Sequence, residues 1–188
     1  RGNVSVTGDG KLTAKCDPSM DGTGLAYGID ILQGDLLVSQ GGEVTASASH
    51  GIDVSGGGIR LDGGKITATQ VKKDERNSGN AISVEKSFNS NHNTEKAGSI
   101  TVTGGTLTAA GGAGMYMAGY ADTTIKNSSV TGDATAIELR AGKLQINGGT
   151  YTANASAYEY EPNGNGATTS GAALAIMQHT TKKDIDVT

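Results

Sequence analysis

The stretch Gly51-Ile52-Asp53-Val54-Ser55-Gly56-Gly57-Gly58-Ile59-Arg60-Leu61-Asp62-Gly63-Gly64-Lys65-Ile66-Thr67-Ala68 decides the fold. It holds three runs in which apolar and polar residues alternate: Ile52-Asp53-Val54, Ile59-Arg60-Leu61 and Ile66-Thr67-Ala68. Alternation of this kind is the period of a strand with one buried face. Gly63-Gly64 divides the second run from the third, and a tight bend there needs the positive φ that glycine supplies cheaply.

The triple unit recurs in both directions. The first run, strand A, returns as Ile29-Asp30-Ile31, Ile82-Ser83-Val84, Met115-Tyr116-Met117, Ile137-Glu138-Leu139 and Leu174-Ala175-Ile176. Strand B returns as Val4-Ser5-Val6, Leu36-Leu37-Val38, Ile100-Thr101-Val102 and Leu144-Gln145-Ile146, with a weaker copy at Ile125. Strand C returns as Leu12-Thr13-Ala14, Val44-Thr45-Ala46, Leu107-Thr108-Ala109, Val130-Thr131-Gly132 and Tyr151-Thr152-Ala153. Ile29 and Ile52 lie 23 residues apart, and Met115 and Ile137 lie 22 apart. Longer spacings elsewhere fall in polar stretches, as loop insertions in repeats do. The expected fold is therefore all-β, with one domain over residues 1–188. It is a right-handed parallel β-helix (solenoid) of about six coils, roughly 22 residues per minimal coil, with three parallel sheets. An antiparallel sandwich competes, but a recurring triple with interchangeable insertions favours the solenoid.

Composition fits a narrow interior with recurring corners. Glycine numbers 30 and proline 2, and aromatic residues make up 4 %. The net charge is −4 without a basic stripe, so no nucleic-acid partner is expected. Cys16 alone permits no internal disulfide. No apolar run reaches the ~18 residues of a spanning helix, so no membrane insertion is expected in this segment. The chain opens and closes inside strand-like patterns and reads as a fragment of a longer secreted or surface protein.

Insertions border strand A on both sides, whereas the B-to-C corner stays short. Loops on a rigid scaffold are where binding resides, so the outer face of strand A is expected to floor a groove. Its outward row is Asp30, Asp53, Ser83, Tyr116, Glu138 and Ala175, with Arg140 beside Glu138. Asp30 and Asp53 fall on successive coils, about one strand spacing apart. Carboxylates that close repel unless a cation separates them or one protonates. Two readings stay open. In one, calcium lies between Asp30 and Asp53, with Asp17 and Asp21 as further oxygens. In the other, both carboxylates splay into water. Tyr116 either stacks on a sugar ring or pins a loop. Tyr120, Tyr158 and Tyr160 in flanking loops are read as pins. Arg140 pairs with Glu138 or another neighbour, and it lies too far from Asp30 and Asp53 to close a catalytic set. His50, His92 and His179 are dispersed and form no triad or metal spacing.

The phrase Gly51–Ala68 and its copies resemble the pectate-lyase-like superfamily of right-handed β-helices. The nearest likeness is to bacterial cell-surface carbohydrate-binding β-helix proteins. That resemblance covers nearly the whole chain and implies acidic saccharides along strand A, often bridged by calcium. The expected function is a non-catalytic extracellular or cell-surface module that binds polysaccharide through Asp30, Asp53, Ser83, Tyr116, Glu138 and Arg140. The alternatives are a stalk or adhesin segment with a surface-protein partner, and a lyase or hydrolase acting on acidic sugars. The outward Thr column of strand C is similar to ice-binding solenoids. The column beside it, however, is Lys11, Glu43, Lys65, Thr106, Ser129 and Thr150, which is mixed and charged.

Overall fold

A computed structural model describes residues 2–16, 26–70, 79–84, 98–163, 166–177 and 184–188. Each alternating run forms a short strand. The first pass of the chain gives β1 (Val4–Thr7), β2 (Lys11–Lys15) and β3 (Tyr27–Ile31). The second gives β4 (Asp35–Ser39), β5 (Glu43–Ala48) and β6 (His50–Val54), and the third β7 (Gly58–Asp62), β8 (Lys65–Gln70) and β9 (Asn80–Val84). Next come β10 (Gly98–Thr103), β11 (Thr106–Ala110) and β12 (Met115–Met117), then β13 (Ala121–Gly132) and β14 (Thr135–Leu139). The last elements are β15 (Gly142–Ala153), β16 (Glu159–Asn163), β17 (Gly166–Ser170), β18 (Ala172–Ile176) and β19 (Ile185–Val187).

The strands do not build the expected three-sheet, six-coil β-helix. The B and C strands belong to one 11-stranded sheet with the path β1-β4-β7-β10-β13-β11-β8-β5-β2; β15 branches from β13, and β19 pairs with β15. The A strands form a separate six-stranded sheet, β18-β14-β12-β9-β6-β3. The cause lies at the B-to-C corner. In the second and third passes a glycine pair ends one strand before the next begins. In β13 and β15 the backbone runs on through the corner for 12 residues, so ladders from both sides share these strands. Asn127 takes a left-handed φ of 47° within β13 without ending it. The nine-strand path turns back at β13 and brings β1 and β2 near each other, which nearly closes the sheet into a barrel. β16 and β17 pair as an antiparallel hairpin where the sequence suggested only a loop.

Within both large sheets all pairing is parallel, and the repeat positions meet in register. Thr13, Thr45, Thr67, Thr108, Thr131 and Thr152 form one column. Beside it Lys11 reaches Glu43 at 3.2 Å. The apolar positions Val38, Val44, Ile52, Ile66, Ile82, Leu107, Met115, Ile125 and Ile137 are fully or almost fully buried in one continuous core. Burying such side chains contributes roughly 1.5–3 kcal/mol each, which opposes the entropy of ordering so many short strands.

Glycine serves two purposes at the corner. Gly63 has φ 70° with open space around it, so it supplies the turn. Gly64 lies against the preceding pass, and a Cβ there would come 2.8 Å from Val38 Cγ1. The small residue that opens strand A has the second role as well. A Cβ on Gly51 would meet Ala68 Cβ at 2.8 Å, so the Thr-Ala ending of strand C and the glycine of strand A are one packing device.

Candidate functional site

The six-stranded sheet aligns the outward row as a single column. Asp30 pairs with Asp53, Asp53 with Ser83, Ser83 with Tyr116, Tyr116 with Glu138, and Glu138 with Ala175. Burial divides this column. Asp30 is exposed, whereas Asp53, Ser83, Tyr116, Glu138, Ala175 and the adjacent Arg140 are all buried. The row therefore opens to solvent at its Asp30 end and is covered along the rest.

At the covered end the polar groups satisfy one another. Arg140 Nε donates to Glu138 Oε1 at 2.6 Å. Its guanidinium carbon lies 5.0 Å from the centre of the Tyr116 ring, a cation–π arrangement. The hairpin closes over this pair: the Thr169 amide and hydroxyl donate to Glu138 Oε2 at 3.4 and 3.3 Å. Thr135 Oγ1 in turn donates to the Thr169 carbonyl at 2.8 Å. Burial pushes the Glu138 carboxyl above its usual range, and Arg140 and Thr169 pull it part of the way back. Tyr116 thus serves to pack and to shield the ion pair.

Beside the column lies a second polar group. Tyr27, His50 and Asn80 are register partners on β3, β6 and β9. The Tyr27 and His50 rings have centroids 5.6 Å apart. Asn80 Nδ2 lies 3.3 Å from His50 Nδ1 and Ser83 Oγ lies 3.4 Å from it, while Asn80 Oδ1 accepts from the Ala113 amide at 2.8 Å. Desolvation lowers the His50 pKa from 6.5 to about 4, so the ring is neutral and accepts at Nδ1.

At the open end the Ser55 hydroxyl links the two carboxylates. Its Oγ lies 2.7 Å from Asp53 Oδ2 and 3.1 Å from Asp30 Oδ1. A hydroxyl carries one proton, so it serves one carboxylate at a time. Asp30 and Asp53 supply two acidic residues toward a cation, whereas calcium takes six to eight oxygens. Among the described residues no group of three or more His, Cys, Asp or Glu is placed to hold a metal ion. Asp17, Asp21, His92 and His179 lie outside the described residues. Tyr158 is exposed, Tyr120 is partly buried, and Tyr160 falls in β16.

A groove of about 1360 Å³ runs from Asp30 and Ser55 to the start of the neighbouring sheet. Asn3, Gln33, Asp35 and Ser99 line it with polar groups, Leu32 adds an exposed apolar side chain, and glycine backbone at 34, 56, 57 and 98 completes it. Asp35, Gly58 and Ser99 are register partners on β4, β7 and β10. A Cβ on Gly58 would stand 2.7 Å from Asp35 Oδ1 and 3.1 Å from Ser99 Oγ, so the missing side chain lets those two groups approach.

Sequence reasoning aligned the row and missed its partners. Ser55 stands two residues after Asp53 and so shares its face, a signal the alternation carried. Thr169 had no such signal, because it arrives from the hairpin. The chain matches no protein-family model, no curated protein and no solved structure at a significant level.

Proposed function

We propose that the chain is a non-catalytic extracellular or cell-surface module that binds polysaccharide at the Asp30 end of the strand-A row. The observation that carries this reading is the open groove beside Asp30. Its lining is mainly carboxylate, amide and hydroxyl groups with glycine backbone between them, which suits hydrogen bonding to a chain of hydroxyls. The single Ser55 proton does not saturate the exposed Asp30 carboxylate, which accepts from it at 3.1 Å, and a sugar hydroxyl can add a further donor there. A non-catalytic role is favoured because Arg140 and Glu138 are engaged with each other four strands from Asp30, about 19 Å along the sheet. Calcium assistance in this proposal needs ligand oxygens from the saccharide itself, since Asp30 and Asp53 offer too few.

Titration of the whole chain with a panel of plant, mucin and bacterial glycans, with and without chelator, tests the reading. Binding that Asp30→Asn weakens supports it, and silence across the panel removes it.

A second reading is a stalk or adhesin segment with a surface-protein partner. The burial of most of the outward row favours it, because a satisfied polar column stiffens a sheet without recognising anything. Asp30→Asn and Asp35→Asn would then leave attachment to every target unchanged.

A further inference from the structure

The balance of charge and of donors in the groove bears on which saccharide it takes, granted the binding reading above. Asp30 and Asp35 are both exposed and both line the groove, and no Lys, Arg or His stands among its described lining residues. Asn3 Oδ1 already accepts from the Asp35 amide at 3.0 Å, and the Ser55 proton is directed at the carboxylates. The side-chain donors left to a ligand are the Asn3 and Gln33 amides and the Ser99 hydroxyl, set against carboxylates that only accept. From this we infer that the groove selects saccharides bearing a protonated amine and rejects uronates.

The recognition chemistry is direct. A sugar ammonium brings three donors and a positive charge, and its hydrogen bonds to Asp30 and Asp35 are charge-assisted. A uronate carboxylate would face acceptors of like charge. A neutral sugar can satisfy the acceptors through hydroxyls but gains no charge term. Gly58 contributes by leaving room for Asp35 and Ser99 to address the same ligand. The resemblance drawn from the sequence implied acidic saccharides, and the groove chemistry points the other way.

The test is calorimetric titration of the whole chain at about pH 6 with three oligosaccharides: a glucosamine oligomer, its N-acetylated counterpart, and a galacturonate oligomer, all in chelator. The first two differ only at the amine. The glucosamine oligomer should bind about tenfold more tightly than the N-acetylated one, and the gap should close as salt rises from about 50 to about 500 mM. Galacturonate should not bind. Asp35→Lys should reverse the ranking of the two charged oligomers. Equal or tighter binding of the N-acetylated or galacturonate oligomer overturns the inference and leaves the polysaccharide-binding reading standing. Failure of all three, and of the wider glycan panel, overturns both. An unchanged ranking in Asp35→Lys overturns the placement of the ligand in this groove.

Discussion

Arg140 and Glu138 form an ion pair at 2.6 Å with each side chain only 1 % exposed. They stand two residues apart, on one face of the sheet, beneath Tyr116 and Thr169. Two charges taken from water need each other, and removing one leaves the other desolvated and uncompensated. Glu138→Ala or Arg140→Ala should destabilise the fold by about 3–5 kcal/mol in urea denaturation. Glu138→Leu combined with Arg140→Met should recover most of that loss. A double variant no more stable than the singles would show that the pair does more than satisfy itself.

Burial of His50 sets the sign of an expected acid sensitivity. Its pKa is about 4 when folded and 6.5 at its ordinary value. Above pH 6.5 the ring is neutral in both states and costs nothing. As pH falls from 6.5 toward 4 the unfolded chain takes up a proton that the folded chain refuses, so stability declines. The total loss is about 3 kcal/mol and levels off below the folded pKa. Urea midpoints across this range should fall in the parent protein, and His50→Asn should flatten the slope. A parent curve that is flat from 6.5 to 4 would contradict this burial.

Ser55→Ala removes the hydroxyl that links Asp53 to Asp30. Asp53 is fully buried, so the loss should cost about 1–3 kcal/mol. Adding Asp53→Asn should restore part of it by removing the charge. Denaturation of the three proteins side by side measures the coupling, and strictly additive effects would argue against it.

Gly63 and Gly64 stand side by side and should respond differently to alanine. Gly63→Ala meets no atom and should cost about 1 kcal/mol for its left-handed backbone. Gly64→Ala places a Cβ 2.8 Å from Val38 Cγ1 and 2.9 Å from the Gly42 carbonyl, and should cost about 1–3 kcal/mol. Thermal melts should rank the pair in that order, and the reverse order would refute the close-packing role of Gly64.

Much of the local structure was legible because it depends on periods of two residues. The alternation in Ile52-Asp53-Val54 placed Ile52 and Val54 in the core and Asp53 on the opposite face. The recurrence of that triplet put Asp53 in register with Asp30 and Ser83. Alternation tells two faces of a strand apart, but it does not tell water from a covering segment. For that reason it placed Glu138 and Arg140 on the outward side without revealing that Thr169 lies over them.

The sequence by itself determined the repeat strands, their parallel register, most of the inward residues, though Val4, Leu174 and Ile176 of the triplets are exposed, and the glycines on which the corners depend. All of these follow from local sterics and from the spacing of apolar side chains. Only the tertiary structure decided how the strands divide into sheets, because a corner separates two sheets only if it interrupts the hydrogen-bond ladder. At Asn127 and Gly148, which turn the backbone of β13 and β15, the ladder skips a single pair and resumes at Ser128 and Gly149, so both sides of the corner stay in one sheet. It also decided that the outward row is open at Asp30 and closed at Glu138, since the closure depends on the β16–β17 hairpin, which no repeat unit encodes.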